Sequence, residues 1–256
     1  MNEISRVLKT FGAYVKRPDL YPELGRKIIK NTFNRGNAFK GKESTNIWAA
    51  QKAISQEEAT LHLFNVHKLE FKSDFSEILA TAQQRETDCP IKMGGAGALE
   101  LIYYACEFTK SRNVIETGVA YGWSSLAVIL SLEKRNGVLY SSDMPYLAQD
   151  GDKYVGYIVP ENFKNSWKLF RFADKESLPK IFADCSEFDV VHYDSDKSYN
   201  GRMWAYEELY AHLREGGVFI SDDIGDNSAF QDFCENKGIE ATIIEYEKKY
   251  IGVFIK

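Results

Sequence analysis

Short apolar runs alternate with helical patterns over the last two thirds of the chain. Such runs, bounded by polar or glycine-containing segments, are typical of buried strands in a parallel sheet. Seven of them stand out, at residues 114–117, 138–142, 167–172, 188–193, 218–221, 241–246 and 250–255. Helical patterns separate the first five, whereas the last two lie close together. This order predicts an α/β fold whose mostly parallel sheet ends in one antiparallel C-terminal strand, with helices on both faces.

The stretch before this alternation is mainly helical in pattern. It predicts a helical N-terminal extension over residues 1–93, followed by a domain over residues 94–256. Residues 1–42 carry ten basic and three acidic side chains, and their apolar positions from Ile4 to Val15 share one helical face. Such a segment packs on its own domain or on a second copy of the chain in a homodimer, or else it contacts an anionic membrane surface or an acidic partner.

Composition and charge narrow the class of protein. The 256 residues carry a net charge of −5, which argues against a general nucleic-acid binder. No uncharged apolar run reaches the ~20 residues of a membrane span, and the N-terminus lacks the apolar region of a signal peptide. The expectation is therefore a soluble, cytoplasmic protein. Its four cysteines are too widely spaced for a zinc knuckle and are expected to be reduced, buried thiols: Cys89, Cys106, Cys185 and Cys234.

The first predicted strand ends in a glycine-containing loop, Glu116-Thr-Gly118-Val-Ala-Tyr-Gly122-Trp-Ser124. In an open parallel sheet, ligands bind at the carboxyl ends of the strands, where glycines let the backbone approach a ligand. The spacing lacks the third glycine of a dinucleotide-binding loop and the Gly-Lys-Ser/Thr end of a phosphate-binding loop. By itself it suits a tight strand–helix turn equally well. Glu116 needs a partner, because an acid at the end of a buried strand is costly.

Acidic residues follow the fourth and fifth predicted strands. The fourth strand leads into Asp194-Ser-Asp196-Lys197, and the fifth into Asp222-Asp223. Because adjacent strands lie about 4.8 Å apart, these carboxylates are expected to converge and to need a cation that offsets their repulsion. Oxygen ligands favour a hard ion, Mg²⁺ first and Ca²⁺ or Mn²⁺ next. His192 is expected to lie in the core or beside the ligands.

The loop after the first strand resembles motif I of class I S-adenosylmethionine-dependent methyltransferases, which have a Rossmann-like, seven-stranded sheet. The resemblance covers residues ~94–256. It implies that S-adenosylmethionine is the cofactor and that the motif I residues Glu116, Gly118, Gly122 and Ser124 bind it. It also implies that Asp143 grips the ribose hydroxyls and that Asp174 lies beside the adenine.

The acidic segments resemble one branch of that class, the metal-dependent O-methyltransferases. Asp194-Ser-Asp-Lys-Ser-Tyr199 is similar to the Asp-Ala-Asp-Lys stretch of caffeoyl-coenzyme A O-methyltransferases, and catechol-type enzymes share its Asp-to-Lys spacing. Macrocin-type sugar O-methyltransferases carry comparable acidic segments. The resemblance implies metal ligands at Asp194, Asp222 and Asp223. It implies a general base at Lys197 or at Asp196, since the subfamilies differ at this point.

The implied function is methyl transfer to a hydroxyl of a small molecule, such as a phenol, a sugar or a glycan precursor, with divalent-metal assistance. Several aromatic residues are candidates for lining the acceptor pocket or for core packing: Trp48, Tyr121, Trp123, Tyr199 and Trp204. Three alternatives stay open on the same type of sheet. They are a metal-independent methyltransferase, a nucleotide-dependent oxidoreductase and a non-enzymatic scaffold.

Overall fold

The computed structural model of the chain describes residues 14, 15, 17–26, 41–144 and 151–256. Most of the basic N-terminal segment, including Ile4 to Phe11 of its predicted apolar face, lies outside the described residues. The helices are α1 (Lys42–Lys52), α2 (Gln56–Phe64), α3 (Phe71–Asp74), α4 (Ser76–Asp88), α5 (Leu99–Phe108), α6 (Trp123–Leu132), α7 (Asp174–Asp184), α8 (Tyr199–His212) and α9 (Ala229–Lys237). The strands are β1 (Ala53–Ile54), β2 (Asn113–Thr117), β3 (Val138–Ser142), β4 (Trp167–Phe170), β5 (Phe188–Tyr193), β6 (Leu213–Ser221), β7 (Thr242–Tyr246) and β8 (Lys249–Ile255).

These strands form one mostly parallel sheet in the order β1-β7-β8-β6-β5-β2-β3-β4. Strand β8 runs antiparallel to both of its neighbours, β6 and β7. The predicted α/β fold with its antiparallel C-terminal strand is therefore confirmed. The sheet also has an eighth strand, because β1 pairs in parallel with β7 through Ala53 and Ile54. The N-terminal extension thus contributes an edge strand to the sheet.

The order of the strands places a crevice at one point of the sheet. From β2 the chain proceeds outward to β3 and β4, and it then returns to β5 on the other side of β2. At such a reversal the connections after the two central strands diverge to opposite sides and leave room for a ligand beyond their carboxyl ends. The loops after β2 and β5 begin at Gly118 and Asp194.

Each face of the sheet carries its own apolar core. Side chains of a strand alternate between the two faces, so Val114 and Val190 pack on one side while Ile115 and Val191 pack on the other, all fully buried. Helices α2 to α6 cover the first side, and α1 and α7 to α9 cover the second. Burial on both faces explains why the central strands read as unbroken apolar runs rather than alternating ones.

Local signals in the sequence agree with this arrangement. Ser55 caps α2: its hydroxyl accepts a hydrogen bond from the Glu58 amide, and the Glu58 carboxylate accepts one from the Ser55 amide. The four cysteines are free thiols, buried at Cys106 and Cys234 as expected but only partly buried at Cys89 and Cys185. Of the helices within the described residues, none has the length and apolar character that crossing a bilayer requires.

Candidate active site

A cavity of about 510 Å³ opens at the reversal point of the sheet. The loop after β2 contributes Gly118 and Ser124 to its wall, and the end of β3 contributes Asp143. The ends of β5 and β6 contribute acidic and basic side chains, and the backbone of residues 94–97 lines it before α5. Its volume lies in the range of small-molecule and cofactor sites.

The loop between β2 and α6 approaches the neighbouring loop very closely at Gly118. Gly118 has a φ of +84°, and a Cβ there would lie 2.8 Å from the carbonyl carbon of Asp194 and would overlap its oxygen. Only glycine satisfies both the backbone conformation and this approach. Helix α6 begins directly after this loop, so its first amides face the cavity edge at Trp123 and Ser124.

Asp143 ties the loop to the end of β3. One oxygen of its carboxylate accepts hydrogen bonds from the amides of Val119 (2.8 Å) and Ala120 (3.0 Å). The other oxygen pairs with Arg171 at 2.9 Å. Burial raises the pKa of Asp143 above its ordinary value, although these amides and Arg171 act against the rise. Asp143 thus lies in the cavity wall and also holds the loop in place.

Glu116 lies beneath the cavity rather than in its wall. It is fully buried and accepts hydrogen bonds from the hydroxyls of Ser125 (2.5 Å) and Ser141 (2.9 Å). The buried carboxylate thus has hydrogen-bond donors from α6 and β3. The imidazole of His192 is also near, with its Nδ1 3.6 Å from Glu116 Oε1. The structure places Glu116 as an anchor for the first turn of α6, and its carboxylate does not line the cavity with the rest of the predicted cofactor residues.

His192 lies between two acids, in the cavity floor. Its Nε2 is 3.7 Å from Asp222 Oδ2, on the side opposite Glu116. Burial would lower the pKa of His192, but Asp222 and Glu116 outweigh it and raise the pKa to about 10. His192 thus lies between Glu116 and Asp222, in the expected position beside the predicted ligands.

Two other predicted cofactor residues do not line the cavity. A Cβ on Gly122 would meet Val159 Cγ2 at 2.9 Å, so this glycine packs against the segment before β4. The Asp174 carboxylate accepts hydrogen bonds from Ser142 (2.7 Å) and from Ser195. Within the described residues, neither Gly122 nor Asp174 forms part of the cavity wall, and both support that wall from behind.

Asp174 is expected to make stability depend on pH. Burial raises its pKa from 3.8 to about 6, so its ionisation costs stability as the pH rises from about 4 to 6. Asp174→Asn removes this cost but also removes a favourable charge at the start of α7. We expect the variant to be more stable by about 1 kcal/mol at pH 7.5 and not at pH 4. Urea unfolding at both pH values measures this.

Asp184→Asn is the matched control, because Asp184 ends the same helix and pairs with Lys168 at the surface. It is expected to change stability by less than about 0.5 kcal/mol. Equal stabilisation of the Asp174→Asn variant at pH 4 and pH 7.5 would show that ionisation is not the cause.

Lysine side chains lie among the three predicted metal ligands. The Lys197 ammonium contacts Asp194 and lies 2.9 Å from Asp223 Oδ2. Lys249, at the start of β8, lies 3.1 Å from the other oxygen of Asp223. Burial and then the nearby Asp222 raise the pKa of Asp194 to about 6. Burial works against ionisation of Asp223, but Lys197 and Lys249 outweigh it and lower its pKa.

The two candidate bases point in different directions. Lys197 lines the cavity, and its pKa is raised because Asp194 and Asp223 outweigh its burial. Asp196 is turned toward the start of α8, where its carboxylate accepts a hydrogen bond from the Ser198 amide at 2.9 Å. The turn between β5 and α8 separates them, since it directs Lys197 to Asp194 and Asp223 and Asp196 to the start of α8.

The hairpin between β7 and β8 supplies site residues that the sequence reasoning missed. Tyr246, Glu247 and Lys249 line the cavity opposite the motif I loop. The turn itself is tight, with positive φ at Glu247 and Lys248. The sequence shows a charged turn between the last two apolar runs, which is typical of a hairpin. It does not show that the turn approaches Asp223, because that depends on the antiparallel pairing of β8 with β6.

The predicted acceptor aromatics divide into two groups. Trp123 lines the cavity, and its Nε1 donates to Glu86 at 2.7 Å, while the Tyr121 hydroxyl donates to the Ile91 carbonyl at 2.7 Å. These bonds hold the segment that leads to residues 94–97 over the cavity. The others pack in or against the core on the opposite face of the sheet: Trp48, Tyr199 and Trp204.

Comparison with known proteins agrees with this arrangement. Residues 115–224 match the family model described as a methyltransferase domain. No curated protein matches the chain. An O-methyltransferase from Bacillus cereus, solved with S-adenosylhomocysteine, is 15% identical, with a TM-score of 0.54 over 83% of this chain and 100% of that one. The O-methyltransferase TomG from Streptomyces achromogenes, solved with S-adenosylmethionine, is 17% identical, with a TM-score of 0.55 over 79% and 100%.

The matched segment is thus that of a methyltransferase domain, and the sheet has the Rossmann-like fold of the solved methyltransferases. A methyltransferase from Geobacter sulfurreducens shares the fold at 13% identity and a TM-score of 0.54, over 70% of this chain and 90% of that one. At these identities the solved structures establish the fold that the chain shares with O-methyltransferases.

Proposed function

We propose that the protein transfers a methyl group from S-adenosylmethionine to a hydroxyl of a small-molecule acceptor. One observation carries this proposal: a single cavity joins the motif I loop and Asp143 to the cluster formed by Lys197, Asp223 and Lys249. The donor and the acceptor need adjoining places in one cavity, because methyl transfer is an in-line displacement that depends on alignment. The O-methyltransferases among the solved structures of this fold support a hydroxyl as the acceptor.

The residues near motif I fit the cofactor. Gly118 lets the motif I loop lie directly against the loop after β5, and the first amides of α6 offer hydrogen-bond donors to a carboxylate. Asp143 Oδ1, which accepts one hydrogen bond from Arg171, has a second lone pair, so the carboxylate is able to accept a ribose hydroxyl. When bound, the cofactor supplies an electrophilic methyl group on a sulfonium.

Lys197 is the proposed catalytic group on the acceptor side. Its ammonium, held by Asp194 and Asp223, faces the cavity and is able to donate a hydrogen bond to the acceptor oxygen. A cation at this place stabilises the negative charge that develops on the acceptor oxygen as its proton passes to solvent water. Asp196 is not proposed as the base, because its carboxylate is directed to the Ser198 amide.

Divalent-metal assistance, which the resemblance implies, does not fit the side-chain arrangement. Carboxylates are suitable ligands for Mg²⁺, but within the described residues no three acidic, histidine or cysteine side chains converge on a common point. An ammonium group lies between Asp194 and Asp223 instead. The proposed chemistry therefore uses the cations of the chain itself.

The function is tested by calorimetric titration with S-adenosylhomocysteine, followed by methyl transfer from labelled S-adenosylmethionine to a panel of catechols, hydroxycinnamates and glycosides. Binding of the cofactor product and labelling of at least one hydroxyl compound are expected. No binding at millimolar concentration would refute the proposal. Titration with NADH tests the oxidoreductase alternative, and no heat is expected.

Lys197→Met is expected to lower kcat/KM for the acceptor about 100-fold, because the cation at the developing charge is lost. The affinity for S-adenosylhomocysteine is expected to stay within about twofold, since Lys197 lies on the acceptor side. Lys248→Met, which makes the same change on the exposed hairpin turn, is the control and should behave as the wild type. Normal turnover by Lys197→Met would remove Lys197 from the mechanism.

Three predictions from the sequence stay predictions: membrane contact by the basic N-terminal segment, a homodimer and a cytoplasmic location. Sedimentation of the protein at several concentrations tests the dimer, and flotation with anionic vesicles tests the membrane contact.

A further inference from the structure

Three carboxylates line the cavity where β5 and β6 end, on its acceptor side. They belong to Asp194, Asp222 and Asp223, which all line it. Three acids this close repel one another unless positive charge lies among them. What supplies that charge decides whether the site needs a metal ion.

The Lys197 ammonium lies between the two strand ends. It contacts the Asp194 carboxylate and lies 2.9 Å from Asp223 Oδ2. Lys197 is three residues beyond Asp194, so the turn after β5 returns its side chain to the acid that precedes it. One ammonium thus neutralises an acid from each of the two loops.

Lys249 reaches the same cluster from a different part of the fold. It lies 3.1 Å from Asp223 Oδ1, so both oxygens of Asp223 have a lysine partner. The antiparallel pairing of β8 with β6 brings the hairpin beside the end of β6 and thereby positions Lys249. Asp222 has the buried His192 at 3.7 Å. Asp194 and Asp223 therefore each have a lysine partner from the chain.

We propose that Lys197 and Lys249 are built-in counter-ions, and that their ammonium groups hold the place a divalent ion would need between Asp194 and Asp223. The native site is then selective against divalent cations, and loss of an ammonium leaves paired carboxylates that are able to bind one. This proposal deepens the proposed function, because it rests on that function in assigning the cluster to the acceptor side.

The experiment measures Mn²⁺ binding by the intact protein without cofactor, from the electron paramagnetic resonance signal of free Mn²⁺. The wild type is expected to show no specific site below millimolar Mn²⁺. Lys197→Met is expected to bind Mn²⁺ about tenfold or more tightly than the wild type, and Lys249→Met to gain less. Lys248→Met should resemble the wild type. Adding Asp223→Asn to Lys197→Met should remove the gain.

Two outcomes would overturn the proposal. One is micromolar Mn²⁺ binding by the wild type that Asp223→Asn abolishes, because the lysines would then not exclude the ion. The other is a Lys197→Met protein that gains no affinity. Thermal unfolding of each variant checks its fold, and Lys197→Gln replaces Lys197→Met if the latter is unfolded. The wild-type titration needs no variant at all.

Failure here and failure of the proposed function are distinguishable. The Mn²⁺ titrations contain no cofactor, whereas the proposed function stands or falls on S-adenosylhomocysteine binding and methyl transfer. A protein that binds S-adenosylhomocysteine and also binds Mn²⁺ tightly as wild type would keep the methyltransferase assignment and lose the counter-ion proposal.

Discussion

Gly118→Ala is expected to destabilise the protein by about 3 kcal/mol or more and to abolish S-adenosylhomocysteine binding. The φ of +84° at this position is strained for any residue with a Cβ. The added methyl group would also overlap the carbonyl of Asp194, which belongs to the loop after β5. The two loops at the reversal point would have to separate, and the cavity would change its shape.

Urea unfolding and calorimetric titration measure the two effects of this substitution. Gly25→Ala is the matched control, because a Cβ there meets nothing within 4 Å and its backbone conformation suits alanine. The control is expected to change stability by no more than about 0.5 kcal/mol. A Gly118→Ala protein with wild-type stability and affinity would show that the loops do not pack as described.

Asp143→Ala is expected to weaken S-adenosylhomocysteine binding about 100-fold, which corresponds to about 2.7 kcal/mol. Two causes act together. The amides of Val119 and Ala120 lose the acceptor that holds the motif I loop, and the cavity loses a carboxylate that is suited to ribose hydroxyls. The loop amides are left buried or half-buried without their partner, and this raises the cost of ordering the loop.

Asp152→Ala separates the role of Asp143 from that of its arginine partner. Arg171 pairs with Asp143 through one nitrogen and with Asp152 through the other, both at 2.9 Å. Asp152 is exposed and does not line the cavity. Its substitution is expected to change the affinity less than about twofold. Equal losses from both variants would assign the effect to Arg171 and would contradict a direct role for Asp143.

The sequence predicted elements whose signals are local. The apolar runs located the strands, and β3 was found over Val138–Ser142 as predicted, but β6 begins at Leu213 rather than at 218. The start of α2 has an equally local cause, the reciprocal hydrogen bonds of Ser55 and Glu58. The two-residue strand β1 had no such signal, because its identity comes from pairing with β7 far along the chain. Short edge strands depend on their partner rather than on their own pattern.

For the candidate site, the sequence predicted where residues lie in the fold but not the direction of their side chains. Motif spacing predicted the strand ends at which Gly118, Asp143 and Asp194 line one cavity. It did not reveal that Glu116 turns to Ser125 and Ser141 beneath the cavity, since a side chain's direction depends on which partners the neighbouring elements offer. It also did not separate Lys197 from Asp196, which only the turn before α8 decides.

By itself, the sequence determined the order of strands and helices and the chemistry available at each strand end, because these depend on periodicity and residue type over short distances. The tertiary structure alone decided which charges meet. Asp194 and Lys197 lie close in the sequence, but Asp223 joins them only through the pairing of β5 with β6, and Lys249 only through that of β6 with β8. Contacts between distant segments follow from the register of the sheet, and register is a property of the whole fold.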